Sequence, residues 1–192
     1  MLLNKYYILI NFCFRLKKNL KVSIQKVYIN NYSVYLYISP KHLVNVMTFL
    51  KKDYKTKFTI LNDIICLDYP GRLPRFKLIY TLSSVFFNIR LNICVTVDEL
   101  EGVDSLNHVF SSACWLEREV WDMFGIFFYK HPDLRRILTD YGFLGFPLRK
   151  DFPLSGFLEL YYDDSQKRLI YEPVSLAQEY RNFDFELTWA QR

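Results

Sequence analysis

Glycine is scarce in this 192-residue chain, with only 6, and neither a Gly-rich phosphate loop nor a GxGxxG pattern occurs. A nucleotide cradle built from glycine backbone is therefore not encoded in the usual way. The four cysteines, Cys13, Cys66, Cys94 and Cys114, never form a CxxC pair, and His42, His108 and His131 are equally dispersed. Such spacing argues against a disulfide framework, a zinc site or an iron–sulfur cluster held by this chain alone. There is no HExxH, and no Ser/His/Asp arrangement with supporting spacing. The paired carboxylates Asp163-Asp164 and Glu117/Glu119 fall in a turn and on a helix face, where solvation or ion pairing accounts for them better than a catalytic dyad. We therefore expect no catalytic, cofactor-binding or metal-binding residue in this chain.

Long apolar runs are missing too: nothing approaches the 18 or more residues of a membrane span, so no direct span is expected. The run Tyr6 to Phe14 is broken by Asn11 and followed by Arg15, Lys17 and Lys18. It has neither a small-residue cleavage site nor the Arg- and Ser-rich character of a transit peptide, so it reads as an amphipathic helix. Acids are almost absent from residues 1–60, where eleven Lys/Arg face Asp53 alone, whereas the remainder carries 14 basic and 19 acidic residues. The basic half could meet nucleic acid, an anionic surface or an acidic partner, and the simpler reading is a solvated lysine face.

What is plentiful is aromatic: 15 Tyr and 17 Phe. That exceeds what one small core buries and suggests surface that meets another protein. A coding bias toward A and T, which raises Phe, Tyr, Asn, Lys and Ile together, explains the same counts.

Val22 to Ile29 and Ser33 to Ile38 read as strands joined by an Asn30-Asn31 turn. Ser39-Pro40 reads as a helix start, with Leu43, Val46, Met47 and Leu50 on its apolar face and Lys51 and Lys52 in the last turn. Phe58 to Tyr69 follows as a strand, then a hairpin of Phe76 to Ser83 and Ile89 to Val97. This predicts an α+β domain over residues 1–110, with helices on one face of a small mixed or antiparallel sheet.

Residues 111–129 hold a helix and turn. The helix is predicted over Ala113 to Phe124, capped by Ser112 and ended by Gly125. Leu116, Val120, Met123 and Phe124 form its apolar face, and Glu117, Arg118, Glu119 and Asp122 the polar one, with an Arg118–Asp122 pair along the helix. From residue 130 to the end, Pro132, Pro147, Pro153 and Pro173 break up any helical or strand period. Yet Phe143, Phe146, Phe152, Leu154, Phe157, Tyr161, Tyr162 and Tyr171 are spread through it. Left in water, these side chains invite association, so residues 130–192 are expected to be an extended arm ordered along a partner.

Several consecutive blocks here are specific. Glu117-Arg118-Glu119-Val120-Trp121-Asp122-Met123-Phe124-Gly125-Ile126 resembles the signature helix of the 30-kDa peripheral-arm subunit of respiratory complex I, the NADH dehydrogenase subunit 9 family. His131-Pro132-Asp133-Leu134-Arg135-Arg136-Ile137-Leu138-Thr139-Asp140-Tyr141-Gly142-Phe143 resembles its next block, in the form of mitochondrial and related bacterial members more than of chloroplast-type relatives. Gly145 to Gly156, Tyr171-Glu172-Pro173-Val174 and Arg181-Asn182-Phe183-Asp184-Phe185 continue it. Ser111-Ser112-Ala113-Cys114-Trp115 departs from the family's Pro-Ser-Ala-Asn-Trp, which puts the local cap geometry in question.

The resemblance implies a core subunit of a proton-pumping NADH:ubiquinone oxidoreductase, itself non-catalytic, at the matrix side of the mitochondrial inner membrane. It further implies that NAD, FMN, the iron–sulfur clusters and ubiquinone are held by other subunits, and that the chief partner is the large quinone-site subunit of the 49-kDa type. The absent targeting segment and the A/T bias add the expectation of organelle coding. Glu117, Arg118, Trp121, Asp133, Arg135, Arg136, Arg149, Lys150, Asp151 and Phe152 are the expected interface residues. Two other classes remain open. A nucleic-acid module would use the basic, Tyr-rich first sixty residues but leaves the later blocks unexplained. A hydrogenase-type relative would depart from the His-Pro-Asp-Leu-Arg-Arg stretch, which is kept here.

Overall fold

The computed structural model describes residues 2–20, 23–30, 33–181 and 183, with side chains from Ile10 onward. It divides into two compact units, Met1–Phe152 and Pro153–Arg192.

The first unit is built on a five-stranded sheet. Its strands are β1 (Ile24–Asn30), β2 (Ser33–Ile38), β3 (Ile60–Asp68), β4 (Phe76–Ser84) and β5 (Ile89–Val97), in the order β1-β2-β5-β4-β3. All neighbours are antiparallel except β2 and β5. The strict alternation of apolar residues sets the register: Leu36, Ile93, Tyr80 and Ile64 lie across one row, and Ile38, Val95, Leu78 and Cys66 across the next. These side chains point to one face and are buried. The opposite face is mixed, with Ile65, Ile79 and Cys94 beside polar pairs in which Lys77 Nζ donates to Tyr37 Oη at 3.0 Å and Thr81 Oγ1 donates to Asn92 Oδ1 at 3.1 Å. A two-on-one register shift between Leu61 and Asp63 marks a bulge in edge strand β3.

Three helices supply the covering layer: α1 (Leu2–Asn19), α2 (Leu43–Lys52) and α3 (Ala113–Phe124). Leu16 of α1, Val46, Met47 and Leu50 of α2, and Ala113 and Val120 of α3 join the sheet residues in one apolar cluster. The architecture is thus α+β, as the spacing of the elements predicts. Arg15 of α1 pairs with Asp53 at 3.2 Å just beyond α2. No helix among the described residues is long and apolar enough to cross a membrane.

Local details differ from expectation at several points. Asn31 and Val22 lie outside the described residues. Ser39 precedes a 3-10 turn, Pro40–His42, before α2 begins, and its side chain makes no capping bond. Ser112 also does not cap α3: its backbone is already helical, and its Oγ donates instead to Leu61 O at 3.1 Å, tying α3 to β3. Gly125 does end α3, at a φ of 76° in the left-handed region open to glycine.

A short parallel pair follows, β6 (Val103–Asp104) with β7 (Phe128–Tyr129), bringing the segments before and after α3 together. Residues 130–152, expected as the first part of an extended arm, group with the first unit. The second unit contains a hairpin, β8 (Leu158–Asp163) and β9 (Arg168–Pro173), in a stretch whose sequence shows no lasting strand period. Its register sets Leu158, Leu160, Tyr162, Leu169, Tyr171 and Pro173 on one face, and Glu159, Tyr161, Asp163, Arg168, Ile170 and Glu172 on the other.

Candidate subunit interface and the polar hub of the third helix

Three of the four residues on the expected polar side of α3 are turned inward, and Glu119 alone of the four is exposed. Glu117 and Asp122 are fully buried and Arg118 is nearly so. Buried charge is tolerated only where it is hydrogen-bonded or paired, and each of these groups has its own solution.

Glu117 Oε2 accepts from Ser105 Oγ at 2.6 Å, and Oε1 accepts from the Leu106 N–H at 2.7 Å. Both donors follow β6, which explains how the strand pair serves the helix. His131 Nε2 donates to Cys114 O at 3.1 Å while Nδ1 accepts from the Asp133 N–H at 3.1 Å, which ties the turn at Pro132 to α3. The same ring places Nε2 3.9 Å from Glu117 Oε2. Burial pushes the Glu117 carboxyl up to about 7, against the pull of the Ser105 hydroxyl and the Leu106 amide.

Asp122 is the opposite case. Its Oδ2 accepts three backbone N–H groups, from Ile137 at 3.0 Å, Leu138 at 2.7 Å and Thr139 at 2.9 Å. Its Oδ1 accepts from Thr139 Oγ1 at 2.6 Å and Arg136 Nη1 at 3.0 Å. Burial raises this carboxyl, but the Thr139 hydroxyl and the amides of Thr139, Leu138 and Ile137 outweigh it and hold it down at about 2. The expected Arg118–Asp122 pair does not form. Asp122 binds the chain fifteen and more residues downstream, and Arg118 Nε donates to Arg135 O at 3.3 Å.

Two arginines complete the strap. Arg136 Nη2 donates to Gly145 O at 2.9 Å, and its guanidinium lies over Phe146 at 5.0 Å. Arg149 Nε donates to Phe124 O at 2.6 Å, placing a cation on the last carbonyls of α3, and it pairs with Glu99. Its guanidinium also lies over Phe146, at 4.5 Å, a ring that approaches Gly125 so closely that a Cβ there would sit 2.5 Å away. Trp121 packs edge-on against Phe127 and Phe146, and Phe152 lies tilted against Phe143.

A second knot ties the same loop to the sheet. Arg75 grips Asp68 with two bonds, at 2.8 and 2.9 Å, and reaches Asp151 at 3.1 Å and Glu99 at 3.2 Å. Asp68 also accepts the Lys150 N–H at 2.8 Å, and the bond from Arg75 holds its carboxyl below the usual range. Of the expected interface residues, Glu117, Arg118, Trp121, Arg136, Arg149 and Phe152 thus have contacts inside the first unit. Asp133 and Arg135 are exposed and pair with each other at 3.0 Å, while Lys150 and Asp151 are exposed on the loop and tied back to the sheet through Asp68 and Arg75. Sequence reasoning missed Asp68, Arg75 and Asp122 as determinants of this loop.

A chain from the structure of the membrane-bound sulfane sulfur reductase, an archaeal respiratory membrane complex, has the same fold. It superposes with a TM-score of 0.62 over 75% of this chain and 85% of that one, at 18% identity. Residues 36–158 match the family model of the respiratory-chain NADH dehydrogenase 30-kDa subunit, and the chain belongs to that family. The match begins inside β2 and ends at Leu158, so it takes in β3, β4 and β5 and the blocks from Glu117 to Gly156, and leaves out β1 and the blocks after Leu158.

Individual relatives agree. NADH-ubiquinone oxidoreductase subunit 9 of Prototheca wickerhamii is 54% identical over 81% of each chain. Subunit 9 of Dictyostelium discoideum is 41% identical over 97% of this chain and 91% of its own. Subunit 9 of Acanthamoeba castellanii is 48% identical over 90% of this chain and 87% of its own.

Proposed function

We propose that this chain is the 30-kDa core subunit in the peripheral arm of a proton-pumping NADH:ubiquinone oxidoreductase, where it is a scaffold and not a catalyst. NAD, FMN, the iron–sulfur clusters and ubiquinone are then held by other subunits, and its chief partner is the large quinone-site subunit of the 49-kDa type. The site of action is the matrix side of the mitochondrial inner membrane, and the gene is organellar. Family membership supports the complex; the exposed apolar face of the β8–β9 hairpin supports the scaffold role. Leu158, Leu160, Tyr162 and Leu169 sit on that face and are all exposed. A two-stranded ribbon is marginal alone in water, and an apolar face of this kind is a contact surface.

In this reading the interface residues divide by position. Asp133, Arg135, Lys150 and Asp151 are exposed, Asp151 also reaching Arg75, while Glu117, Trp121, Arg136, Arg149 and Phe152, and Arg118 through its Nε, act from within by fixing the loop that carries them. Holding redox-bearing neighbours at fixed separation is a geometric contribution to electron transfer.

The test is a chain carrying Leu160→Ser and Tyr162→Ser, followed by blue-native electrophoresis with mass spectrometry. The altered chain should disappear from the megadalton assembly that has NADH dehydrogenase activity, while its far-UV circular dichroism stays as in the parent. Normal assembly with a selective loss of turnover would instead indicate a direct part in the reaction.

A further inference from the structure

Beside α3 lies a cavity of about 540 Å³ whose lining includes Trp115, Arg118, Arg135, Arg136, Asp140 and Tyr141. Arg118 is the unusual member: only 7% exposed, it spends Nε on Arg135 O and stacks on Trp115 at 5.0 Å. Its two terminal nitrogens have no acceptor among the described residues, although nearly every other buried ionic group in the unit does. Arg136 is committed to Asp122, and Arg135 to Asp133, so among the described arginines of the lining Arg118 is the one without an ion pair, although the exposed carboxylate of Asp140 also lines the cavity. The mouth is flanked by Trp115 and Tyr141, which are 64% and 97% exposed. A guanidinium fork that opens from a largely buried side chain into the cavity, between exposed aromatics, suits a single carboxylate bound through two parallel hydrogen bonds.

Resting on the scaffold reading above, we propose that this cavity is a socket for one Asp or Glu side chain of a neighbouring subunit, whose carboxylate meets the terminal nitrogens of Arg118. The aromatic rim then covers the pair and excludes water, the usual setting of an interface anchor. Arginine is required for the two-pronged grip; lysine keeps the charge and loses the fork. Lysine does, however, add an amine that a carbodiimide can condense with a carboxylate in contact, with loss of one water.

The experiment uses the assembled complex carrying Arg118→Lys, treated with a water-soluble carbodiimide and mapped by peptide mass spectrometry. The expected product is an amide between position 118 and an Asp or Glu of another subunit, absent from the parent. An amide to a carboxylate of this same chain, or none at 118, overturns the socket. Should the Arg118→Lys chain fail to enter the complex, Tyr141→Ala provides the second arm, since that side chain is almost wholly exposed. It should lower the salt concentration at which the chain leaves the complex, and an unchanged salt profile overturns the proposal. Were the parent chain itself missing from the NADH-oxidising assembly, the scaffold reading would fail as well, which separates the two outcomes.

Discussion

Two carboxylates on one helix, five residues apart, are driven in opposite directions. Glu117 has two neutral donors and burial wins; Asp122 has four donors besides Arg136 and they win. The consequences for stability have opposite signs. With the Glu117 carboxyl raised from its ordinary value to about 7, the unfolded chain loses that proton first. Stability from this group is therefore greatest at acid pH and falls as pH rises between about 4.5 and 7, by roughly 3 kcal/mol. Glu117→Gln keeps a neutral group that can still contact Ser105 and Leu106, so its urea-unfolding free energy should lack this slope. A slope equal to the parent's would place the titration elsewhere. Asp122 is held at about 2, so its contribution is present above about pH 4 and is lost as pH falls toward 2. Asp122→Asn leaves three amide donors sharing a weaker acceptor and Arg136 without its ion pair. A loss of about 3 kcal/mol is expected. In hydrogen exchange, the Ile137, Leu138 and Thr139 amides should lose protection first; uniform loss over the whole sheet would contradict a local anchor.

At the scale of elements, regular periodicity is the legible part. The boundaries of α3, its end at Gly125, and the alternation through β4 and β5 all follow from local spacing. The burial of Glu117, Arg118 and Asp122 does not, because a helix wheel sorts charged residues to the outside. Their acceptors and donors come from segments eleven to seventeen residues away and leave no local trace. Ser112 shows the same limit: its sequence position suits a cap, but a β3 carbonyl across the domain competes for its hydroxyl. The β8–β9 hairpin is hidden for another reason. Tyr161 and Ile170 put apolar residues on its otherwise charged face, so the period of two is blurred although the pairing is regular.

The whole molecule is one packed domain with its loop strapped down as far as Phe152, and a second unit beyond it. The apolar cluster draws on the first unit alone, its last member being Leu134 among the partly buried residues. A chain ending at Phe152 is therefore expected to fold with the melting temperature of the parent, yet to be excluded from the complex. A large fall in melting temperature would show that residues 153–192 contribute to the stability of the domain. The motifs that reveal the family therefore do two different jobs: those up to Phe152 fasten the chain to itself, and those after it contain the open hairpin.

That hairpin has a consequence for supply. Leu158, Leu160, Tyr162 and Leu169 are exposed for as long as nothing is docked on them. A copy made in excess of its neighbours keeps an adhesive ribbon on show, the kind of surface that chaperones and proteases recognise. The lifetime of the chain is therefore expected to depend on the availability of its partners, with its abundance following theirs.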